Sequence, residues 1–195
     1  MNIEVKGVLP SNYGYLSSSV PEDLLLSLRE ECAGAEANNE NVISDLGISY
    51  GNTTDHYALG AKNSKYLSDF ISTYLVHEFD RIFNYIESLK FLDNNLPFVF
   101  SPAWINIQEN HRYIPVHSHR GVYSYTCWVN LPPESLFEFL YPTIIGNPMT
   151  QKIHLTKEDE GGILFFPSLL QHCVHPFKDK SKRISISGNI LLGTE

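Results

Sequence analysis

The stretch FFPSLLQHCVHPFKDKSKRISISGNI, residues 165–190, joins two β-rich runs through a polar, lysine-rich segment. Side chains alternate along a strand, so RISIS sets Arg183, Ser185 and Ser187 on one face and Ile184 and Ile186 on the other. Read as a hairpin turning near Phe177 and Lys178, the segment would place His172 opposite Arg183 as a cross-strand neighbour. A histidine and a permanent cation would then face one cavity. A buried guanidinium calls for an anion, because an uncompensated charge in a low-dielectric interior is costly. A dicarboxylate suits it, since the arginine fork can hold a carboxylate through two parallel bonds. The plainer alternative is a surface arginine on a serine-rich edge strand.

Upstream, VHSHRGVYSYTCWVNLP, residues 116–132, sets His117 and His119 two apart just before a run of aromatic and β-branched residues. In an extended strand both imidazoles share a face and can take adjacent positions on one metal ion. A solvent-facing polar pair is the competing reading of H-x-H taken alone.

The rest of the chain has two textures. From about residue 96 onward, PFVFSPAWINIQEN, GVYSYTCWVNL, SLFEFLYP, GGILFFP, LLQHCVH and RISISGNILL are short β-rich runs separated by Pro, Gly, Asn and charged turns, as in a sandwich or barrel of roughly eight strands. Before that, residues 19–36 read as a helix with Ser19 and Glu22 in capping-box relation and Pro21 at its start. Residues 64–90 carry Leu67, Phe70, Ile71, Tyr74, Leu75, Phe79, Ile82, Phe83, Ile86 and Leu89 on a three-four stripe, a second helix. Between them, Gly, Asn and Asp punctuation marks turns and short extended pieces. No repeat and no Gly/Ser/Pro-rich linker divides the chain. The expectation is one α+β domain over 1–195: a mainly helical support, 1–95, bracing a β-barrel or jelly roll, 96–195, that carries the metal site.

Composition narrows the function. A hydrophobic fraction of 43% with 12% aromatic residues is that of a globular chain. A net charge of −8, from 14 basic and 22 acidic residues, disfavours generic nucleic-acid binding, which rests on cationic neutralisation of phosphates. Cys32, Cys127 and Cys173 are odd in number, far apart and without CxxC spacing, so neither a disulfide framework nor a cysteine zinc site is expected. No apolar run approaches the ~20 residues that span a bilayer, and the N-terminus lacks a signal-peptide pattern, so a cytoplasmic protein is expected.

Together the H-x-H, a third histidine roughly fifty residues on, and R-x-S about ten residues later resemble the 2-oxoglutarate- and iron(II)-dependent oxygenases. The text FPS...H.V.PF....RISISGN is similar to that of short oxygenase-like proteins of bacteriophages and marine bacteria, over residues 104–190. The resemblance implies a double-stranded β-helix. It also implies Fe(II) at His117, His119 and His172, with His119 in the position the family usually gives a carboxylate. Arg183 and Ser185 would hold the distal carboxylate of 2-oxoglutarate. Asn106 would fall at a polar cosubstrate contact or, on structural grounds, at a strand-end cap. The reaction implied consumes O2 and 2-oxoglutarate and hydroxylates or otherwise oxidises a substrate that the sequence does not identify; oligomeric state is equally unread.

His119 departs from the two-histidine, one-carboxylate pattern and leaves iron one negative charge short. Glu109, Glu134 and Glu138 are the nearest carboxylates in sequence, and spacing assigns none of them. Elsewhere the bland readings are that His175 lies outside the metal site, His111 in a loop, His77 on a solvated helix, and Cys173 in the core. Trp128, Tyr123 and Tyr125 read as core or pocket wall, and EDEGG as a turn. Two other functions compete: a cupin-like metal protein, although the cupin glutamate after H-x-H is missing, and a non-catalytic phage structural or binding protein retaining the barrel.

Overall fold

Eight consecutive β-rich segments, each short enough to cross a sheet once, are divided between two sheets in the computed structural model, which describes residues 14–38, 55–83, 98–142 and 146–193. They are β4 (Trp104–Gln108), β5 (Ile114–His117), β6 (Tyr123–Asn130), β7 (Ser135–Tyr141), β8 (Met149–Leu155), β9 (Gly162–Pro167), β10 (Gln171–Val174) and β11 (Arg183–Leu192). The major sheet runs β9-β6-β11-β4 at its centre and the minor sheet β5-β10-β7-β8, with every pairing antiparallel. This is a double-stranded β-helix. Three further strands extend the major sheet: β1 (Leu16–Ser19) on β9, β2 (Asp55–Ala58) on β4 and β3 (Phe98–Phe100) on β11. Two of these come from the first half of the chain, expected as a mainly helical support: β2 falls in the stretch read as turns and short extended pieces, and β1 precedes the first helix.

The helices lie on the outer face of the major sheet. Helix α1 (Glu22–Asn38) begins after Pro21, whose carbonyl accepts the Leu25 N–H at 3.0 Å. Ser19 does not take the N-cap position that a capping box with Glu22 requires: the helix begins at Glu22 itself, and Ser19 ends β1, paired with Gly162. The second predicted helix starts at Ala61 rather than 64: α2 (Ala61–Phe70) passes through a π-helical turn (Ile71–Val76) into α3 (His77–Phe83), and 84–90 lie outside the described residues. The wider turn lets Ile71, Leu75, Val76 and Phe79 all reach the sheet while Tyr74 and Ile82, expected on the stripe, are exposed. Asn63 ties α2 to α1, accepting from Ser27 Oγ (2.8 Å) and donating to Glu31 Oε2 (2.6 Å), so this buried amide is satisfied.

Two apolar clusters result. One fills the layer between helices and major sheet, with Leu24, Leu28, Leu67, Phe79, Ile105 and Phe165 fully buried. The other, with Trp128, Phe137, Phe139, Leu155 and Phe166, fills part of the space between the two sheets. Each fully buried large side chain contributes about 1.5–3 kcal/mol against solvent exposure, enough for these layers to fix the sheets that carry the polar residues between them. No helix among the described residues is long and apolar enough to cross a membrane.

Candidate functional site

Between the sheets, beside the second cluster, lies a cavity of about 570 Å³. Its major-sheet wall follows from alternation on adjacent strands. Register sets Arg183 beside Gln108, Ser185 beside Asn106 and Ser187 beside Trp104, and all six side chains line the cavity. Ile105, Ile107 and Ile186, of opposite parity, enter the helix-side core. The opposite wall carries His172 from β10 and His117 from β5, which are register partners.

His117 and His119 do meet, but not through strand alternation. His117 is the last residue of β5, and His119 lies in the following turn, its N–H bonded to the Ser168 carbonyl at 2.8 Å. The His117, His119 and His172 ring centroids are 4.9, 4.3 and 5.1 Å apart pairwise, and one nitrogen from each lies within 4.8 Å of the others. His117 Nδ1 contacts the Pro115 carbonyl at 2.8 Å and His172 Nδ1 the Leu170 carbonyl at 2.9 Å. A carbonyl only accepts, so each Nδ1 carries the proton and each Nε2 keeps a free lone pair. Burial lowers the pKa of His117; His119 falls to about 4 through burial and the adjacent His117, and His172 well below the usual value through burial and both neighbours. All three are neutral at pH 7, the state in which imidazole binds metals. The donor set therefore fits a divalent transition ion. No carboxylate lines the cavity among the described residues. Glu138 points to the outer face of β7, Glu109 pairs with Arg112 at 3.4 Å, and Glu134 is exposed.

Arg183 is 2% exposed with no acidic partner among the described residues. Its Nη2 and Nε donate to Gln108 Oε1 at 2.6 and 3.2 Å, Nη2 also donates to the His175 carbonyl at 3.1 Å, and the Phe177 ring lies 5.5 Å away. Nη1 has no partner. Burial draws the guanidinium down to about 9 and still leaves it cationic at neutral pH. An unpaired buried donor on a buried cation is what a bound anion would satisfy.

The expected hairpin is not formed. His172 is in the minor sheet and Arg183 in the major sheet, because residues 175–182 cross from one sheet to the other as a jelly roll requires. The two residues share the cavity by facing it from opposite walls. Asn106 is mid-strand, not a strand-end cap: its Nδ2 donates to Ser187 Oγ (3.0 Å) and Ser185 Oγ (3.3 Å), and its Oδ1 accepts from Trp104 Nε1 (3.0 Å). Trp128 and Tyr125 line the cavity, Tyr125 also packing in the helix-side core, whereas Tyr123 belongs to that core alone. Gln108 and Trp104 were missed, although their two-residue spacing from Asn106 in WINIQ puts all three on one face. His175 is outside the cavity as expected, His77 is exposed, and His111 sits in a turn with φ 61°. EDEGG leads into β9, its first two residues lying in a 3₁₀ segment (Lys157–Asp159) capped by Thr156 and the next two in a turn.

The family model described as "Putative 2OG-Fe(II) oxygenase" matches residues 102–189, which contain both cavity walls. This part of the chain carries the sequence pattern of the 2-oxoglutarate- and iron(II)-dependent oxygenases. Solved structures agree on the fold. A prolyl-4-hydroxylase from Pseudomonas putida is similar with TM-score 0.62 and 13% identity, covering 93% of this chain and 94% of that one. The viral collagen prolyl hydroxylase of Paramecium bursaria Chlorella virus-1, solved with 2-oxoglutarate, gives 0.59 and 12% over 96% and 100%. HygX from Streptomyces hygroscopicus, solved with nickel, 2-oxoglutarate and hygromycin B, gives 0.58 and 11% over 93% and 84%. No curated protein matches the chain.

Proposed function

We propose that the protein is a non-haem iron(II) oxygenase that uses 2-oxoglutarate and O2 to hydroxylate or otherwise oxidise a substrate at the cavity. The observation that carries this reading is the pairing of three neutral, converging histidines on one wall with a buried, acid-free arginine on the other. His117, His119 and His172 would hold the iron. Arg183 would take one carboxylate of 2-oxoglutarate through Nη1, with Ser185 Oγ beside it. Iron with 2-oxoglutarate and O2 supplies the oxidising chemistry, releasing succinate and carbon dioxide.

The chain's own contribution is binding and positioning. Pro115 and Leu170 carbonyls fix two imidazoles with Nε2 presented, and Gln108 with the His175 carbonyl fixes the guanidinium plane. Asn106 orients the Ser185 and Ser187 hydroxyls. Trp128, Phe137 and Phe166 form an apolar wall that limits water around the reacting groups. Three neutral ligands leave the ion's charge higher than two histidines and a carboxylate would, which favours anionic cosubstrates at its remaining positions. A purely metal-binding barrel gives the unpaired Arg183 no purpose. Its cysteines, all free, suit the reducing cytoplasm, where we place it.

The test is turnover. Iron-loaded protein should convert 2-oxoglutarate to succinate only when O2 is admitted, even without its substrate, at a slow uncoupled rate. Stoichiometric iron and bound 2-oxoglutarate with no O2-dependent succinate would refute the catalytic reading and leave a binding protein.

A further inference from the structure

The outer face of the minor sheet carries a second donor cluster that the oxygenase reading leaves unused. Cys173 follows His172 on β10 and so points away from the cavity, and Glu138 on β7 is its register partner. His175 stands two residues beyond Cys173, held at the strand end by an N–H bond to the Leu136 carbonyl at 2.9 Å. Cys173 Sγ lies 3.9 Å from Glu138 Oε2 and 3.7 Å from His175 Nε2, and His175 Nε2 lies 2.5 Å from Glu138 Oε2. We propose that Glu138, Cys173 and His175 form a second metal site, on the outside of the barrel, for a zinc-class divalent ion.

Geometry and chemistry agree on the ligand. Around a tetrahedral ion with bonds of about 2.3 Å to sulfur and about 2.0–2.2 Å to nitrogen and oxygen, ligand atoms stand roughly 3.3–3.7 Å apart. Both edges from Cys173 are already near that length, and only the His175–Glu138 edge must open, by under about 1 Å. Strand pairing fixes Glu138 and Cys173, so little ordering accompanies binding. A mixed sulfur, nitrogen and oxygen set suits zinc, cobalt or nickel and does not suit magnesium or calcium, which take oxygen ligands. A thiolate and a carboxylate neutralise a divalent ion, and the thiol proton leaves to solvent on binding. The Glu138 side chain is 10% exposed and that of His175 36%, so the cluster is sheltered on one side and open to an arriving ion, with a fourth position for water, on the other. Lys152 on β8, the register partner of Glu138, offers the carboxylate an alternative partner and sets the competition the ion must win.

Cobalt(II) reads this site separately from the cavity. Titrating the reduced full-length chain with cobalt should produce a thiolate-to-cobalt charge-transfer band in the near ultraviolet, which three imidazoles cannot give. The band should persist in His117→Ala/His172→Ala and vanish in Cys173→Ser. Zinc content should fall from about two equivalents per chain to about one in Cys173→Ser. Absence of the band in the wild-type protein overturns the proposal whatever the variants do. So does a band that survives Cys173→Ser, which would assign it to Cys32 or Cys127.

Discussion

Replacing Arg183 separates a bound anion from a structural cation. In the structure Nη1 is unpartnered while Nη2 and Nε are engaged by Gln108 and the His175 carbonyl, so the guanidinium is held rigid with one donor free. If that donor and its charge meet a carboxylate of 2-oxoglutarate, Arg183→Ala removes a charge-assisted contact worth about 1.5–3 kcal/mol, or roughly ten- to hundred-fold in affinity. Arg183→Lys should recover part of the loss, since it keeps the charge but not the fork. Arg183→Met is the informative control for folding. Removing an uncompensated buried cation gains about 1–4 kcal/mol, leaving Gln108 Oε1 unsatisfied costs about 1–3 kcal/mol, and the two nearly cancel. Arg183→Met should therefore keep the unfolding free energy of the wild type within about 3 kcal/mol and still bind 2-oxoglutarate as weakly as Arg183→Ala. Affinity is read by anaerobic calorimetry with metal bound, and stability by denaturant unfolding. Wild-type 2-oxoglutarate affinity in Arg183→Ala, with the metal retained, would refute the reasoning.

Gln108→Leu should weaken 2-oxoglutarate binding about five- to twenty-fold through loss of the acceptor that orients Arg183, with metal affinity unchanged in the same titrations. His119→Asp should hold iron(II) at least as tightly as the wild type, because it restores an anionic ligand, whereas His119→Ala should lose affinity; equal behaviour in a competition assay with a chelator would remove His119 from the ligand set. Burial depresses the three histidines, so the metal-free protein takes up fewer protons than its unfolded chain below about pH 6.5. Its stability should be complete above that pH and fall towards pH 4, the value to which His119 is drawn, by up to about 1.4 kcal/mol per pH unit for each histidine. Thermal melts should show a shallower slope in His119→Gln. At Gly188, an added Cβ would lie 2.3 Å from the Tyr125 hydroxyl, so Gly188→Ala should cost about 1–3 kcal/mol in denaturant unfolding.

Period and residue type made much of this legible. RISIS and WINIQ display the cavity wall directly, because alternation in one strand is a local property. What failed was the one strand pairing inferred, that of the segments now β10 and β11. The KDKSK segment has the chemistry of a hairpin turn, yet β10 and β11 belong to different sheets, and only the closed β-helix decides that. The strand β8, MTQKIHL, was not anticipated: all but one of its residues are exposed or half-buried, so it lacks the apolar alternation that marks the others. Ser19 has the identity of a cap but is claimed by a ladder with Gly162, which lies far along the chain. His119 was placed with His117 for the wrong physical reason, since a turn rather than a strand brings it in. The neighbourhood of Cys173 was read as core filling because nothing local signals that Glu138 pairs across from it.

The most direct measurement is an anaerobic titration of the iron(II)-loaded protein with 2-oxoglutarate, followed in the visible range. The account predicts a weak charge-transfer band that saturates at one 2-oxoglutarate per chain, is absent from His117→Ala/His172→Ala, and requires higher 2-oxoglutarate in Arg183→Ala. Iron bound with no band at any 2-oxoglutarate concentration, or a band that persists when His117 and His172 are both removed, would contradict it.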